Sequence, residues 1–126
     1  MKEAAVSTVL VVDDDKNVCE LIKTALASGG YSSVVAGNGR EALDYLKKAA
    51  RRPGLILLDL MMPEMTGWEF RRLQQQDPAI ADIPVAIITG LPGVDDKAAS
   101  IGVVDVLYKP SKVETLHDLV SRFCDK

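Results

Sequence analysis

Four apolar runs in this chain lack the alternation of a half-exposed strand, and each gives way to a polar residue. Val9-Leu10-Val11-Val12 leads into Asp13-Asp14, Leu55-Ile56-Leu57-Leu58 into Asp59, and Val85-Ala86-Ile87-Ile88 into Thr89. The fourth, Val103 to Tyr108 with Asp105 inside it, leads into Lys109-Pro110. Unbroken short runs suit strands covered on both faces, as in a parallel sheet. Between them the period changes. Val18, Leu21, Ile22, Ala25 and Leu26 recur at helical spacing and predict a helix over about Lys16–Ala27, ended by Gly29-Gly30. Ser32–Ala36 predicts the remaining strand. Asn38-Gly39 could close a hairpin, but Ala42, Leu43, Leu46, Ala49 and Ala50 repeat at helical spacing behind it, so the pair turns the chain into a second helix. A third helix is expected over about Gly67–Gln76, stopped by Asp77-Pro78, and a weak fourth over about Val94–Ile101. Ser111-Lys112-Val113-Glu114 fits a capping box for a fifth, with the stripe Val113, Leu116, Leu119, Val120 and Phe123.

Strand and helix thus alternate five times, with no internal repeat or linker. A (βα)5 alternation predicts an α/β fold: a doubly wound, parallel five-stranded sheet with helices on both faces and right-handed crossovers. Of the common doubly wound orders, the flavodoxin-like 2-1-3-4-5 suits five strands, and its switch point lies between strands 1 and 3. Ligands bind there, beyond the carboxyl ends of the strands. Asp13, Asp14 and Asp59 become neighbours at that crevice, with Thr89 and Lys109 on the two strands beyond. The 126 residues fit a single domain with a core over about residues 8–124.

Composition narrows the function. Hydrophobic residues make up 48% of the chain, and no stretch approaches the ~20 apolar residues of a membrane span. A net charge of −3 disfavours nucleic acid as a direct partner. Met1–Ser7 has one Lys and no long apolar region, so no secretory signal is expected. Cys19 and Cys124 follow no metal spacing. The first is expected half-buried and the second in a frayed tail, both reduced in a cytoplasmic protein. Lys47, Lys48, Arg51, Arg52 and the pair Arg71-Arg72 read as solvated helix faces. His117, beside Asp118, reads as solvated or weakly paired.

Three carboxylates at one crevice need compensation. Two like charges ~4 Å apart repel by about 4 kcal/mol at the effective dielectric of a protein surface. Lys109 offsets part of this, and a hard divalent cation offsets more. Oxygen-only ligands select Mg²⁺, Mn²⁺ or Ca²⁺ over zinc, and Mg²⁺ leaves room for a phosphate. A carboxylate can itself take a phosphoryl group, and metal, ammonium and hydroxyl can hold the phosphoryl oxygens. Asp59, ending the middle strand, is the best nucleophile, and Thr89 and Lys109 can each reach one oxygen.

At this point the sequence resembles the receiver domain of two-component response regulators, from about Thr8 to Cys124. The motifs are Val11-Val12-Asp13-Asp14-Asp15, Leu57-Leu58-Asp59-Leu60-Met61-Met62-Pro63 with Gly67, Ile87-Ile88-Thr89-Gly90, and Tyr108-Lys109-Pro110. The resemblance implies that Asp59 is the phosphoacceptor and that Asp14 binds Mg²⁺ directly. Asp13 would act on the metal largely through water, and Met61 would lend it a backbone carbonyl. Thr89 matches the hydroxyl that moves toward the phosphoryl group, Gly90 the small residue that leaves access, and Lys109 the phosphate-pairing lysine, its bond to Pro110 cis. The partner implied is a histidine kinase or phosphotransfer protein, with an unidentified downstream protein. Such a domain reacts only on its own aspartate and is not an enzyme for other substrates.

The chain departs from the family in three places. The strand-5 position at which many receivers carry Tyr or Phe is Val106, with Tyr108 two residues on, on the same strand face. The stretch from Thr89 to Gly102 is slightly short for the family and contains Pro92-Gly93, which predicts a short or mobile helix 4. Met61 and Leu91, each two residues past a site residue, are apolar and cannot orient an attacking water, which predicts slow self-dephosphorylation. Two other classes compete: a receiver-fold adaptor that is not phosphorylated, and an aspartate-nucleophile phosphatase of the haloacid-dehalogenase type. The phosphatase would need an acid where Met61 stands. A receiver excised from a hybrid kinase would carry the same site.

Overall fold

The structure, a computed structural model, describes residues 7–126. The amino-terminal stretch 1–6, most of the segment examined for a secretory signal, lies outside the described residues. Strands β1 (Thr8–Val12), β2 (Ser32–Ala36), β3 (Leu55–Leu58), β4 (Val85–Thr89) and β5 (Asp105–Tyr108) alternate with helices α1 (Lys16–Ser28), α2 (Gly39–Lys48), α3 (Gly67–Gln76), α4 (Asp95–Ser100) and α5 (Val113–Ser121). All pairings are parallel, in the order β2-β1-β3-β4-β5. The expected doubly wound topology is the observed one, with element ends shifted by a residue or so.

The unbroken apolar runs are explained by burial on both sheet faces. Val9, Val11, Leu55, Leu57 and Ile88 pack against α1 and α5 through Ile22, Leu26, Leu116 and Val120. Their alternates Leu10, Val12, Ile56 and Leu58 pack against α2 and α3 through Ala42, Leu46 and Phe70. A smaller cluster of Leu60, Ile87 and Ala98, with Trp68, Leu91, Val94 and Val106 against it, seats α4. Asp15 caps α1, its carboxylate accepting from Asn17 and Val18 N–H. Thr66 and Glu69 form a reciprocal capping box on α3. A Cβ on Gly67 would meet the Asp59 carbonyl at 2.5 Å, so only glycine lets α3 start this close to the residue that ends β3.

Four expectations are corrected. Ser111 does not cap α5: its hydroxyl donates to the Tyr108 carbonyl at 3.0 Å, and the helix starts one residue later, behind Lys112, with no side-chain cap. Cys124 is buried rather than in a loose tail, because the chain past α5 folds back onto the α1/α5 side of the core. Arg71 is buried, unlike its exposed neighbour Arg72. It donates to Ile101 and Gly102 carbonyls at 3.0 and 3.1 Å and to Gln74 at 2.7 Å, so its cation sits at the carboxyl end of α4. His117 is half-buried; its Nε2 stands 2.6 Å from the Ala25 carbonyl, which can only accept, so this nitrogen carries the proton. The basic group of α2 and the turn after it is exposed as expected, with Arg52 paired to Asp82.

Candidate functional site

Sheet hydrogen bonding fixes the first residue past β1, β3 and β5. Asp13 N–H donates to Ala36 O at 3.1 Å, Asp59 N–H to Val12 O at 2.9 Å, and Lys109 N–H to Thr89 O at 2.7 Å. The ladder therefore carries the side chains that end β1, β3 and β5 to one edge. Asp13, Asp14 and Asp59 bring one carboxylate oxygen each within 4.8 Å of one another. Asp13 is only 1% exposed and Asp59 5%, whereas Asp14 faces solvent. Lys109 Nζ lies 3.1 Å from Asp13 Oδ2 and 3.5 Å from Asp59 Oδ1. Asp13 Oδ1 also accepts from Asp15 N–H at 2.9 Å. These groups, with Asp15, Met61, Gly90 and Leu91, line an open cleft of about 350 Å³.

The electrostatics follow from crowding. Burial, then the neighbouring Asp13 charge, push the Asp59 carboxyl above its ordinary value, and Lys109 pulls back only part of the shift. Burial alone would lower Lys109, but hydrogen bonding and charge from Asp13 and Asp59 outweigh it and raise the ammonium above its ordinary value. Both sides describe one anionic cluster with, among the described residues, a single cation inside it. Three oxygen donors at this spacing fit a hard divalent cation.

Thr89 is placed differently. It is fully buried at the end of β4, outside the cleft lining, and its hydroxyl accepts from Leu91 N–H at 3.0 Å. Met61 is at the mouth of the cleft, 62% exposed. The Lys109–Pro110 bond is cis, as the resemblance implies. Sequence reading missed the Arg71–Gln74 network behind α4. Its signal was available: Gly67, Phe70, Arg71 and Gln74 share one helix face at i, i+3, i+4 and i+7, so the two polar residues fall on the buried stripe.

Comparison with known proteins decides the family. The response regulator receiver domain profile matches residues 9–121. The chain belongs to the response regulator receiver domain family. Among curated relatives, this receiver domain is 39% identical over 110 residues to the response regulator MprA of Mycolicibacterium vanbaalenii, covering 86% of the chain and 46% of the relative. It is 38% identical over 110 residues to MprA of Mycobacterium avium, again covering 86% of the chain and 46% of the relative. The chain thus spans about half the length of the curated relatives it matches. Among solved structures, the response regulator receiver protein of Pseudomonas putida superimposes with a TM-score of 0.86 at 32% identity, covering 95% of this chain and 99% of that one. The chemotaxis protein CheY4 of Vibrio cholerae gives 0.84 at 31%, covering 94% and 99%. Among the described residues no helix of the receiver domain is long and apolar enough to cross a membrane.

Proposed function

We propose that this receiver domain is a phosphoryl-accepting switch in which Asp59 takes a phosphoryl group from a phosphohistidine on a histidine kinase or phosphotransfer protein. The observation that supports this reading is Asp59 itself. It is a buried carboxylate at the carboxyl end of the middle strand, beside Asp13, Asp14 and Lys109, in a cleft open to a partner. A carboxylate oxygen of Asp59 attacks phosphorus as the P–N bond breaks. The bonding pair stays on the imidazole nitrogen, which takes up a proton, and an aspartyl phosphate forms. Lys109 then has an anionic phosphoryl oxygen to pair with. For Thr89 to reach the phosphoryl group, its hydroxyl has to turn away from Leu91 N–H.

Asp13, Asp14 and Asp59, with the Met61 backbone carbonyl, would hold Mg²⁺. When bound, the metal supplies charge neutralisation at the carboxylates and at the transferred group. The reaction is confined to the domain's own aspartate, with no turnover of other substrates. Its consequence is a shift between conformations that alters contacts with a downstream protein. A kinase partner that draws on ATP puts this exchange in the cytoplasm.

Incubation with acetyl phosphate and Mg²⁺, read by intact mass beside Asp59→Asn, tests the reading. One phosphoryl adduct is expected, dependent on Mg²⁺ and missing in the variant. Absence of the adduct, with a phosphorylated kinase failing as donor too, would leave the phosphorylation-independent adaptor as the better reading. Steady release of phosphate from a small phosphate ester would favour the phosphatase instead.

The lifetime of the adduct is a separate expectation. Met61 and Leu91 both line the cleft, and neither side chain carries a donor or an oxygen or nitrogen acceptor to hold a water there. Phosphorylated protein, freed of donor, should hold its phosphoryl group for minutes rather than seconds. Met61→Asn, which supplies an amide at the cleft mouth, should shorten that lifetime. An unmodified protein that loses the group in seconds would contradict this account.

A further inference from the structure

The sulfur atoms of the described residues belong to Cys19, Met61, Met62, Met65 and Cys124. Peroxides oxidise sulfur that they can reach, and most of this set is shielded. Cys19 and Cys124 are buried and free. Met62 is 6% exposed, in the apolar cluster of Leu58 and Phe70. Met65 is half-buried against that cluster, and its sulfur fills the space beside Gly39, where a Cβ would meet it at 2.5 Å. Met61 differs. It is 62% exposed.

The open thioether is also the one at the acceptor. Met61 follows Asp59 by two residues and lines the cleft with Asp59, Gly90, Leu91 and Lys109. A Cβ built on Gly90 would meet nothing beyond its chain neighbours within 4 Å, so the cleft has room for a small oxidant or a water. A thioether holds a water poorly. Its sulfoxide carries an acceptor oxygen on the same flexible stem, and so introduces into the cleft the polar atom that Met61 and Leu91 lack.

We propose that Met61 is a peroxide-modified site whose sulfoxide shortens the life of a phosphoryl group on Asp59. The Met61 sulfur lone pair attacks one oxygen of hydrogen peroxide, and an S–O bond forms as the O–O bond breaks. The departing hydroxide takes the proton from the new S–O oxygen and leaves as water. Sulfur is oxidised by two electrons and peroxide is reduced by two. The sulfoxide oxygen then accepts a hydrogen bond from a water in the cleft and holds it for attack on phosphorus. That attack breaks the bond between phosphorus and the Asp59 oxygen, returning the carboxylate and releasing dihydrogen phosphate. The effect on lifetime rests on the phosphoryl-acceptor reading above; the choice of sulfur does not.

Graded hydrogen peroxide on the full chain, removed with catalase and followed by peptide mass mapping, tests the first part. One added oxygen is expected at Met61 before Met62 or Met65 gains any. Oxidation of Met62 or Met65 as early as Met61 overturns the proposal. For the second part, oxidised and untreated protein take acetyl phosphate with Mg²⁺, are freed of donor, and are followed by intact mass. The oxidised protein should lose its adduct faster by roughly three- to tenfold, the range that one hydrogen bond supplies. Methionine sulfoxide reductases for both epimers should restore the untreated decay. In Met61→Leu the decay should be the same with and without peroxide. An unchanged or longer lifetime in the oxidised protein, or an equal response to peroxide in Met61→Leu, overturns the proposal. Absence of any adduct in untreated protein overturns the acceptor reading, and the effect on lifetime falls with it whichever sulfur the peroxide takes.

Discussion

Replacing Asp59 by Asn is expected to stabilise the fold while removing the residue proposed to take the phosphoryl group. Asp59 shares a site with Asp13 and Asp14, one oxygen of each within 4.8 Å of the others. Two unit charges at that separation repel by roughly 3 kcal/mol at an effective dielectric near 20, and Lys109 cancels part of it. A net gain of about 1–2 kcal/mol in metal-free buffer is therefore expected for Asp59→Asn. The sign with pH follows from the raised carboxyl. A group that holds its proton more tightly folded than unfolded favours the fold at low pH and loses that advantage as pH rises through its folded value. The gap between variant and parent should be small below the ordinary carboxylate value of 3.8 and open fully above the raised one. Denaturant unfolding across acid to neutral pH, in chelator, measures both. Added Mg²⁺ should narrow the gap, because a ligand that binds only the folded parent stabilises it by mass action. Equal or lower stability of Asp59→Asn at neutral pH would remove the claim that the cluster is strained.

Lys109→Met should act in the opposite direction. The substitution keeps an apolar stem and deletes the one cation that, among the described residues, pairs with these carboxylates, leaving nearly fully buried Asp13 with the Asp15 amide as its remaining described side-chain partner. Removing one partner of a buried pair costs about 3 kcal/mol, much of it the penalty of the charge left behind. The Lys109 ammonium is held above its ordinary value, so its contribution is fully present below 10.5 and disappears as pH rises through the folded value. The difference between Lys109→Met and the parent should accordingly shrink on the alkaline side of that range, and also in acid, where protonation of Asp59 removes a charge that Lys109 pairs with. Combining Lys109→Met with Asp59→Asn should recover part of the loss, since one unpaired carboxylate is then gone. Strict additivity in that double-mutant cycle would show that the 3.5 Å contact between Lys109 and Asp59 carries no energy.

The parts of the fold that were legible in the sequence are those governed by period and by chain-end chemistry. β1, β3 and β4 were visible because residues buried on both sheet faces leave no polar position within the run, and the polar residue behind each run marked the functional edge. Asp15 stands directly ahead of the predicted first helix, a place that favours aspartate as a cap, and its carboxylate does cap α1. What escaped depended on contacts distant in sequence. Ser111 looks like a cap until the Tyr108 carbonyl is known to lie within reach of its hydroxyl. Arg71 looks solvated until the end of α4, about thirty residues on, offers it two carbonyls. His117 looks exposed until α1 packs beside it and presents the Ala25 carbonyl. At the site, Asp13, Asp14, Asp59 and Lys109 came together as residue type and strand order imply. The turn of the Thr89 hydroxyl toward Leu91 N–H did not follow from either.

The two cysteines have a practical consequence. Each is free and buried, and burial pushes both thiols up to about 11. At neutral pH only about one in ten thousand of either is the thiolate that alkylating reagents attack, against a few per cent for an ordinary surface cysteine. A cysteine introduced on the surface, beside α4 or at the rim of the cleft, would therefore take a maleimide dye or spin label well ahead of the native pair. Cys19 and Cys124 can stay in place while distances across the domain are measured, and the core that holds them need not be redesigned first.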